Sequence, residues 1–269
     1  MSMRDRFIVP PDTAVTLGDH DTRFTAGIKG KKEARKRLDK NIERLAELQY
    51  LLWAENRRAL LIVLQAMDAG GKDGTIRHVM SGVNPQGVKV TGFKVPTEEE
   101  ADHDFLWRIH KAVPRKGEIG IFNRSHYEEV LVVRVHELVP RAVWSQRYGQ
   151  INAFEAHLAA NDVVILKFFL HISKDEQRER LQARIDDPTK HWKVNPDDLA
   201  ERQLWDDYMA AFEDALSRCS TAAAPWFIIP ADRKWFRNLA VSEIIVETLE
   251  ALDMHFPPPT CDVAKLVVE

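Results

Sequence analysis

"ALLIVLQAMDAGGKDGT", Ala59 to Thr75, is the stretch on which the fold turns. Its first seven residues, Ala59 to Gln65, are apolar and rich in branched side chains, the composition of a strand buried on both faces. A glycine-rich turn follows, and a helix is expected from Lys72. Strand, glycine turn and helix in this order can cradle phosphate, because turn N–H groups and the helix N-terminus both face the anion. The P-loop pattern is G-x-x-x-x-G-K-[ST]. Here it runs from Ala66 to Gly71, Lys72 and Asp73, so alanine replaces the first glycine and the hydroxyl is deferred to Thr75. Gly70, Gly71, Asp73, Gly74 and Thr75 are the candidate phosphate-binding positions, with Lys72 supplying a full positive charge. A plain strand-to-helix turn capped by Asp73 is the alternative. Two adjacent glycines and a lysine at this junction favour the cradle.

Two aspartates in an anion cradle need a reason. Asp68 and Asp73 repel bare phosphate, but not phosphate that arrives with Mg²⁺. A carboxylate beside the loop can hold the cation or its waters, and can orient an attacking phosphate oxygen. The pair therefore points to a site where metal-bridged phosphates meet on both sides of a transfer.

Three further groups lie outward from the loop. "IFNRSHYEE", Ile121 to Glu129, ends a strand where P-loop proteins place a metal-organising acid; this chain has Asn123 there, then Arg124, then Glu128 and Glu129. Arg124 can stabilise charge on a phosphoryl group in transit. His126 reads either as an acid–base group or as a hydrogen-bonded structural histidine. Arg180 and Arg184, four apart on one helical face, precede Lys190, Trp192 and Lys193 in a proline-punctuated loop. Together they read as a lid closing on phosphates, or as a solvated charged helix. Lys94, Arg108, Lys111, Arg115 and Lys116 form a second basic group expected near strand ends. Trp107 is placed either in the core or against a nucleobase.

The rest of the chain repeats the alternation. Strands are expected at Val88–Phe93, Glu118–Asn123, Val163–Ile172 and Pro225–Pro230. Helices are expected from Lys31, over Arg141–Ala160, Lys174–Asp186 and Leu199–Arg218, and over Lys234–Asp253. Thr97 with Glu100 three residues on predicts a capping box. Short apolar strands alternating with helices predict an α/β fold, a parallel sheet covered on both faces. The division is an extended arm over 1–30, one domain over 31–255 with a lid over 174–198, and a tail over 256–269.

The formal net charge of −3 offers no field for a nucleic acid or an anionic membrane, so any polyanion site is a local patch. Cys219 and Cys261 make no metal-ligand spacing and no disulfide framework. With no apolar run of spanning length and no leader pattern, the cytoplasm is expected.

"AMDAGGKDGTI", "FKVPTEEE", "FLWRIH", "IFNRSHYEEVLVVRV", "KFFLHISKDEQ" and "APWFIIPADRKW", in this order, resemble the polyphosphate kinase type 2 family over about residues 60–252. The resemblance implies a three-layer P-loop kinase fold like that of thymidylate kinase, with a five-stranded parallel sheet between helices and a helical lid. It implies Mg²⁺- or Mn²⁺-dependent, reversible phosphoryl transfer between inorganic polyphosphate and adenine or guanine nucleotides, in a homodimer or homotetramer. By resemblance Asp68, Lys72, Asp73 and Thr75 belong to the phosphate loop, with Asp68, Lys72 and Arg124 as catalytic residues. Asn123 and Arg124 match the second motif, Lys94 joins the nucleotide site, and Arg180, Arg184, Lys190 and Lys193 match the lid. Many members carry Asp where this chain has Asn123, which moves the metal-ligand role to Asp68. "SHYE" is similar to the branch acting on both nucleoside mono- and diphosphates, with Glu128 bearing on the acceptor. Two rivals remain at this point: a kinase using ATP as donor, and a polyanion-binding module without turnover.

Overall fold

The computed structural model describes residues 1–268. Five strands form one parallel sheet: β1 (Ala59–Gln65), β2 (Val88–Gly92), β3 (Ile119–Asn123), β4 (Val163–His171) and β5 (Trp226–Pro230). Their order is β2-β3-β1-β4-β5. Every residue of β1 is buried, as a central strand covered on both faces requires. From β1 the chain crosses to β2 on one side, and from β3 it crosses to β4 on the other. The direction of winding thus reverses between β1 and β3, where Leu64 lies level with Asn123. In open parallel sheets ligands bind outside the carboxyl ends of the strands at such a point.

The helices in the first half of the chain are α1 (Met3–Phe7), α2 (Lys31–Glu55), α3 (Lys72–Val79), α4 (Glu98–Ala101), α5 (Trp107–Ala112) and α6 (Val132–Val135). In the second half they are α7 (Arg141–Ala160), α8 (Lys174–Ile185), α9 (Pro196–Gln203), α10 (Trp205–Cys219) and α11 (Lys234–Glu250). Helices α2, α3 and α11 form one packed group, with α11 against β4 and β5; α6, α7 and α10 form another, with α7 against β4. The apolar stripe of α11, with Val241, Ile244, Ile245 and Leu249, is buried as its spacing predicts. Among the described residues no helix is long and apolar enough to cross a membrane, and both cysteines are free.

Three segments differ from their sequence reading. The extended arm contains α1, and Met3, Phe7, Val9, Leu17 and Ile28 bury their side chains in the core. The single helix expected over 199–218 breaks at Leu204 (φ −87°, ψ 19°) into α9 and α10. No glycine or proline marks this break; α9 instead follows its own contacts, Asp198 to Arg184 at 3.0 Å and Glu201 to His136 at 2.9 Å. The capping box forms, with the Thr97 hydroxyl accepting from the Glu100 N–H, but its helix is one turn long and α5 restarts at Trp107.

Candidate active site

The loop between β1 and α3 is shaped by its backbone. Ala69 (φ +59°) and Gly71 (φ +105°) adopt left-handed conformations, which turn successive N–H groups toward one concavity. Gly70 has no room for a side chain: a Cβ would lie 2.5 Å from Ala66 Cβ and 2.8 Å from Met67 O. At Gly71 a Cβ would come within 1.8 Å of Arg237 Nη1. Lys72 Nζ donates to Ala66 O at 3.0 Å across the loop. Burial pushes its ammonium below the ordinary lysine value, aided by Arg124 and opposed by Asp68, Glu128 and Asp73.

The loop after β3 faces this concavity. Arg124 has φ +63°, a strained value for a non-glycine residue, and its N–H donates to Leu64 O at 3.2 Å. Its Nη2 donates to Asp68 Oδ1 at 2.9 Å, and its Nη1 lies 3.6 Å from Glu128 Oε2. Burial pulls the Arg124 guanidinium down, but Glu128 and Asp68 outweigh it and hold it above its ordinary value. Burial also pushes the Glu128 carboxyl above its ordinary value, against the pull of Arg124 and Lys72. Asn123 Nδ2 donates to Asp73 Oδ1 at 2.6 Å. Asparagine here joins the two loops by a neutral hydrogen bond, where a second carboxylate would repel Asp73.

Asp68, Lys72, Asp73, Lys94, Asn123, Arg124, Arg184 and Lys193 line one cavity of about 370 Å³. The donor set suits a hard divalent cation: Asp68 and Asp73 each commit only Oδ1 to a hydrogen bond within the described residues. No group of three or more His, Cys, Asp or Glu side chains among those residues is arranged to enclose a metal. That combination fits an ion held by one or two carboxylates and completed by substrate phosphates and water.

Other expected site residues lie differently. Arg180 is buried and donates to Ala69 O and Gly70 O at 3.0 Å, to Ala231 O at 2.6 Å and to Asp232 O at 3.2 Å. It bolts the lid helix to the underside of the phosphate loop: its Nη donors are committed to carbonyls and its Nε to Glu176 Oε1 at 2.7 Å. The Thr75 hydroxyl likewise donates to a backbone carbonyl, Gly71 O, at 3.1 Å. Lys190 and Lys193 remain exposed, with Lys190 on Asp187 at 2.6 Å. The second basic group divides: Lys94 follows β2 at the site, whereas Arg115 and Lys116 precede β3 at the opposite end of the sheet. Trp107 is half-buried beneath Lys111, 3.9 Å from its ring centroid, and is neither core nor in the transfer cavity. His126 is buried, with Nε2 3.1 Å from Glu155 Oε1, as a structural histidine.

Four participants escaped sequence reading. Gln177 donates to Asp68 O at 3.1 Å and accepts from Arg202 at 3.0 Å, tying lid to loop. Arg147 pairs with Glu129 behind the Arg124 turn. Lys167 is fully buried and donates to Glu155 Oε2 at 2.5 Å, to Tyr127 Oη at 2.7 Å and to Cys219 O at 2.6 Å, fixing the loop after β3 from beneath. Burial pushes the Glu155 carboxyl up, but Lys167 and His126 hold it below its ordinary value. The fourth is Arg237, which donates to Gly70 O at 3.3 Å. Burial, then Arg180, pull its guanidinium down to about 9, which leaves it a cation at neutral pH. Of these, Lys167 alone left a sequence signal, a charge that interrupts the apolar run "VVILKFFLH".

Two larger spaces adjoin the transfer cavity. A groove of about 770 Å³ shares Ala69, Gly71, Gly74, Arg184 and Lys193 with it, and carries nine Lys and Arg side chains against one acid, Asp39. A cavity of about 720 Å³ shares Phe93, Lys94 and Arg124, and is lined by Val95, Pro96, Phe105, Leu106, Val132, Val139 and Val143.

A glycine-rich loop between β1 and a helix, at the reversal point of a five-stranded parallel sheet, with lysine and arginine converging on it, defines a kinase of the P-loop type. The chain belongs to the polyphosphate kinase 2 family, whose sequence profile matches residues 29–257. It is similar to a Meiothermus ruber protein named AMP/ADP-polyphosphate phosphotransferase, 54% identical over 98% of this chain and 99% of that protein. It is also similar to an ADP-polyphosphate phosphotransferase of Rhodopseudomonas palustris, 49% identical over 95% and 92% of the two chains. The crystal structure of polyphosphate kinase 2 from Arthrobacter aurescens superposes with a TM-score of 0.95 at 45% identity, covering 98% of this chain and 94% of that one.

Proposed function

We propose that this chain transfers the terminal phosphoryl group of inorganic polyphosphate to nucleoside mono- and diphosphates, AMP to ADP and ADP to ATP, reversibly and directly. The observation that carries this is the division of space around the phosphate loop. On one side lies a groove with nine cations and one acid, suited to a linear polyanion. On the other lies an apolar cavity of nucleoside size that opens onto Lys94 and Arg124. The names of the relatives above agree with that division.

The loop N–H groups and Lys72 hold the phosphoryl group in transit, and Arg124 offsets charge on its oxygens. Asp68 fixes Arg124 through its Oδ1 and, with Asp73, would hold Mg²⁺, which neutralises phosphate charge when bound. Glu128, against Arg124, stands at the junction of transfer and nucleoside cavities, where it bears on how acceptor phosphates seat. Lys190 and Lys193 close over the groove from the lid, and Arg184 spans groove and cavity. His126 is buried against Glu155 and is no part of the transfer cavity, which supports transfer without a phosphohistidine.

The test gives the purified chain long-chain polyphosphate and Mg²⁺ with AMP or ADP in separate reactions, with a chelator control, and follows products by chromatography. ATP from ADP, and ADP then ATP from AMP, is the expected result. Product formed only with ATP as donor would overturn the reading in favour of an ordinary nucleotide kinase.

A further inference from the structure

We infer that Arg237 is a positioning residue for the donor: a buried cation left without a counterion by the protein, whose charge the phosphates of polyphosphate complete from the groove side of the loop. The inference rests on the donor-groove reading above. Arg237 stands in the first turn of α11 with 3% of its surface exposed. Its Nε and Nη2 donate to Asn238 Oδ1 at 3.1 and 2.8 Å, and its Nη1 to Gly70 O at 3.3 Å. Both acceptors are neutral. Among the described residues no acid offsets the charge, and a second cation, Arg180, stands beside it.

Burying a cation without an anion is costly, and proteins normally supply a carboxylate. Two other arginines at this site follow that rule: Arg124 has Asp68 and Glu128, and Arg180 has Glu176 at 2.7 Å. Arg237 departs from it where the phosphate loop is thinnest. A Cβ at Gly71 would fall 1.8 Å from its Nη1, and one at Gly74 3.2 Å from its Nη2. These two glycines let the guanidinium press against the underside of the loop whose upper side faces phosphate. Arg237 lines the donor groove with Lys234 and Lys190, and takes no part in lining the transfer cavity that holds Lys72 and Arg124. Its charge therefore acts on the donor's phosphates, through the loop and from the groove, and little on the acceptor.

The sharpest test is Asn238→Asp. The carboxylate has the shape of the amide it replaces and already meets two guanidinium nitrogens, so the variant supplies the missing counterion in place. Titration calorimetry would measure long-chain polyphosphate and ADP binding separately, alongside the thermal midpoint. Polyphosphate affinity should fall about tenfold, ADP affinity should stay within about twofold, and the midpoint should hold or rise. Unchanged polyphosphate affinity would overturn the inference; because Asn238 itself lines the groove, a loss is assigned to Arg237 only by the pair of variants that follows. Arg237→Lys should keep most polyphosphate affinity and Arg237→Gln should lose it; equal losses in the two would assign shape, not charge, to the residue. If the unaltered chain fails to bind polyphosphate, the donor reading itself falls. If it binds and Asn238→Asp binds equally well, only the role of Arg237 falls.

Discussion

The transfer cavity and the donor groove share a wall, the phosphate loop, yet treat charge in opposite ways. Around the cavity the acids are held by named partners: Asp68 by Arg124 and Asp73 by Asn123 across the two loops, and Glu128 by Arg124 within one loop. In the groove nine cations face one acid. Paired charges hold fixed positions and contribute geometry. The groove keeps an excess of positive charge even though Arg180, Arg184 and Lys190 pair with Glu176, Asp198 and Asp187. Such an excess contributes affinity for an anion and tolerates a ligand without a defined register, such as a polymer of identical phosphates. The difference also locates specificity: the groove needs only charge and width, whereas the cavity must seat one phosphoryl group against one acceptor.

Changes on the cavity side should be catastrophic for turnover. Lys72→Ala is expected to lower kcat by about 10³-fold or more, because the loop loses its one positive charge in the cavity. Asp68→Asn should do the same while the dissociation constant for nucleotide changes little. Turnover within a few-fold of normal in Asp68→Asn would remove the metal and orienting roles assigned to it.

A second expected effect is set by pH. The Glu128 carboxyl is raised above its ordinary value by burial, so as pH falls it takes up a proton before an exposed glutamate would. Activity should then fall on the acid side by about tenfold, with a midpoint above the ordinary glutamate range, as Arg124 loses its partner. The sign for stability is opposite. A raised folded pKa means the native state binds the proton more tightly, so the group costs stability above that midpoint and the cost is relieved as pH falls. Glu128→Gln should abolish the acid limb of the rate profile without lowering the thermal midpoint. An unaltered limb in this variant would assign the titration to another group.

The smallest effect belongs to the groove. Lys190→Ala should raise the KM for polyphosphate by about threefold, leave the KM for nucleotide unchanged, and weaken the effect of added salt. Equal changes in both KM values would erase the boundary drawn here between donor and acceptor spaces.

The five strands, their alternation with helices and the phosphate loop were legible from Ala59–Thr75 outward, because a buried central strand and a glycine turn leave local signatures. Asp68, Lys72, Arg124, Asn123 and Lys94 were legible as chemistry and meet in one cavity. The roles of Arg180 and Thr75 were not. Spacing places an arginine on a helix face, but only the packing of α8 under the loop commits its Nη donors to carbonyls. The contacts of Arg237 with Gly70 and of Lys167 with Glu155 were invisible for the same reason: partners 167 and 12 residues apart in sequence leave no pattern. The break at Leu204 escaped because tertiary contacts of α9, and no breaker residue, cause it.

The central claim is that donor and acceptor occupy two spaces at once and exchange the phosphoryl group across one loop. Initial rates measured over a grid of polyphosphate and ADP concentrations test it most directly. Double-reciprocal lines that intersect are expected, since both substrates must be bound before transfer. Parallel lines, with a phosphorylated protein recovered after exposure to polyphosphate alone, would contradict the account.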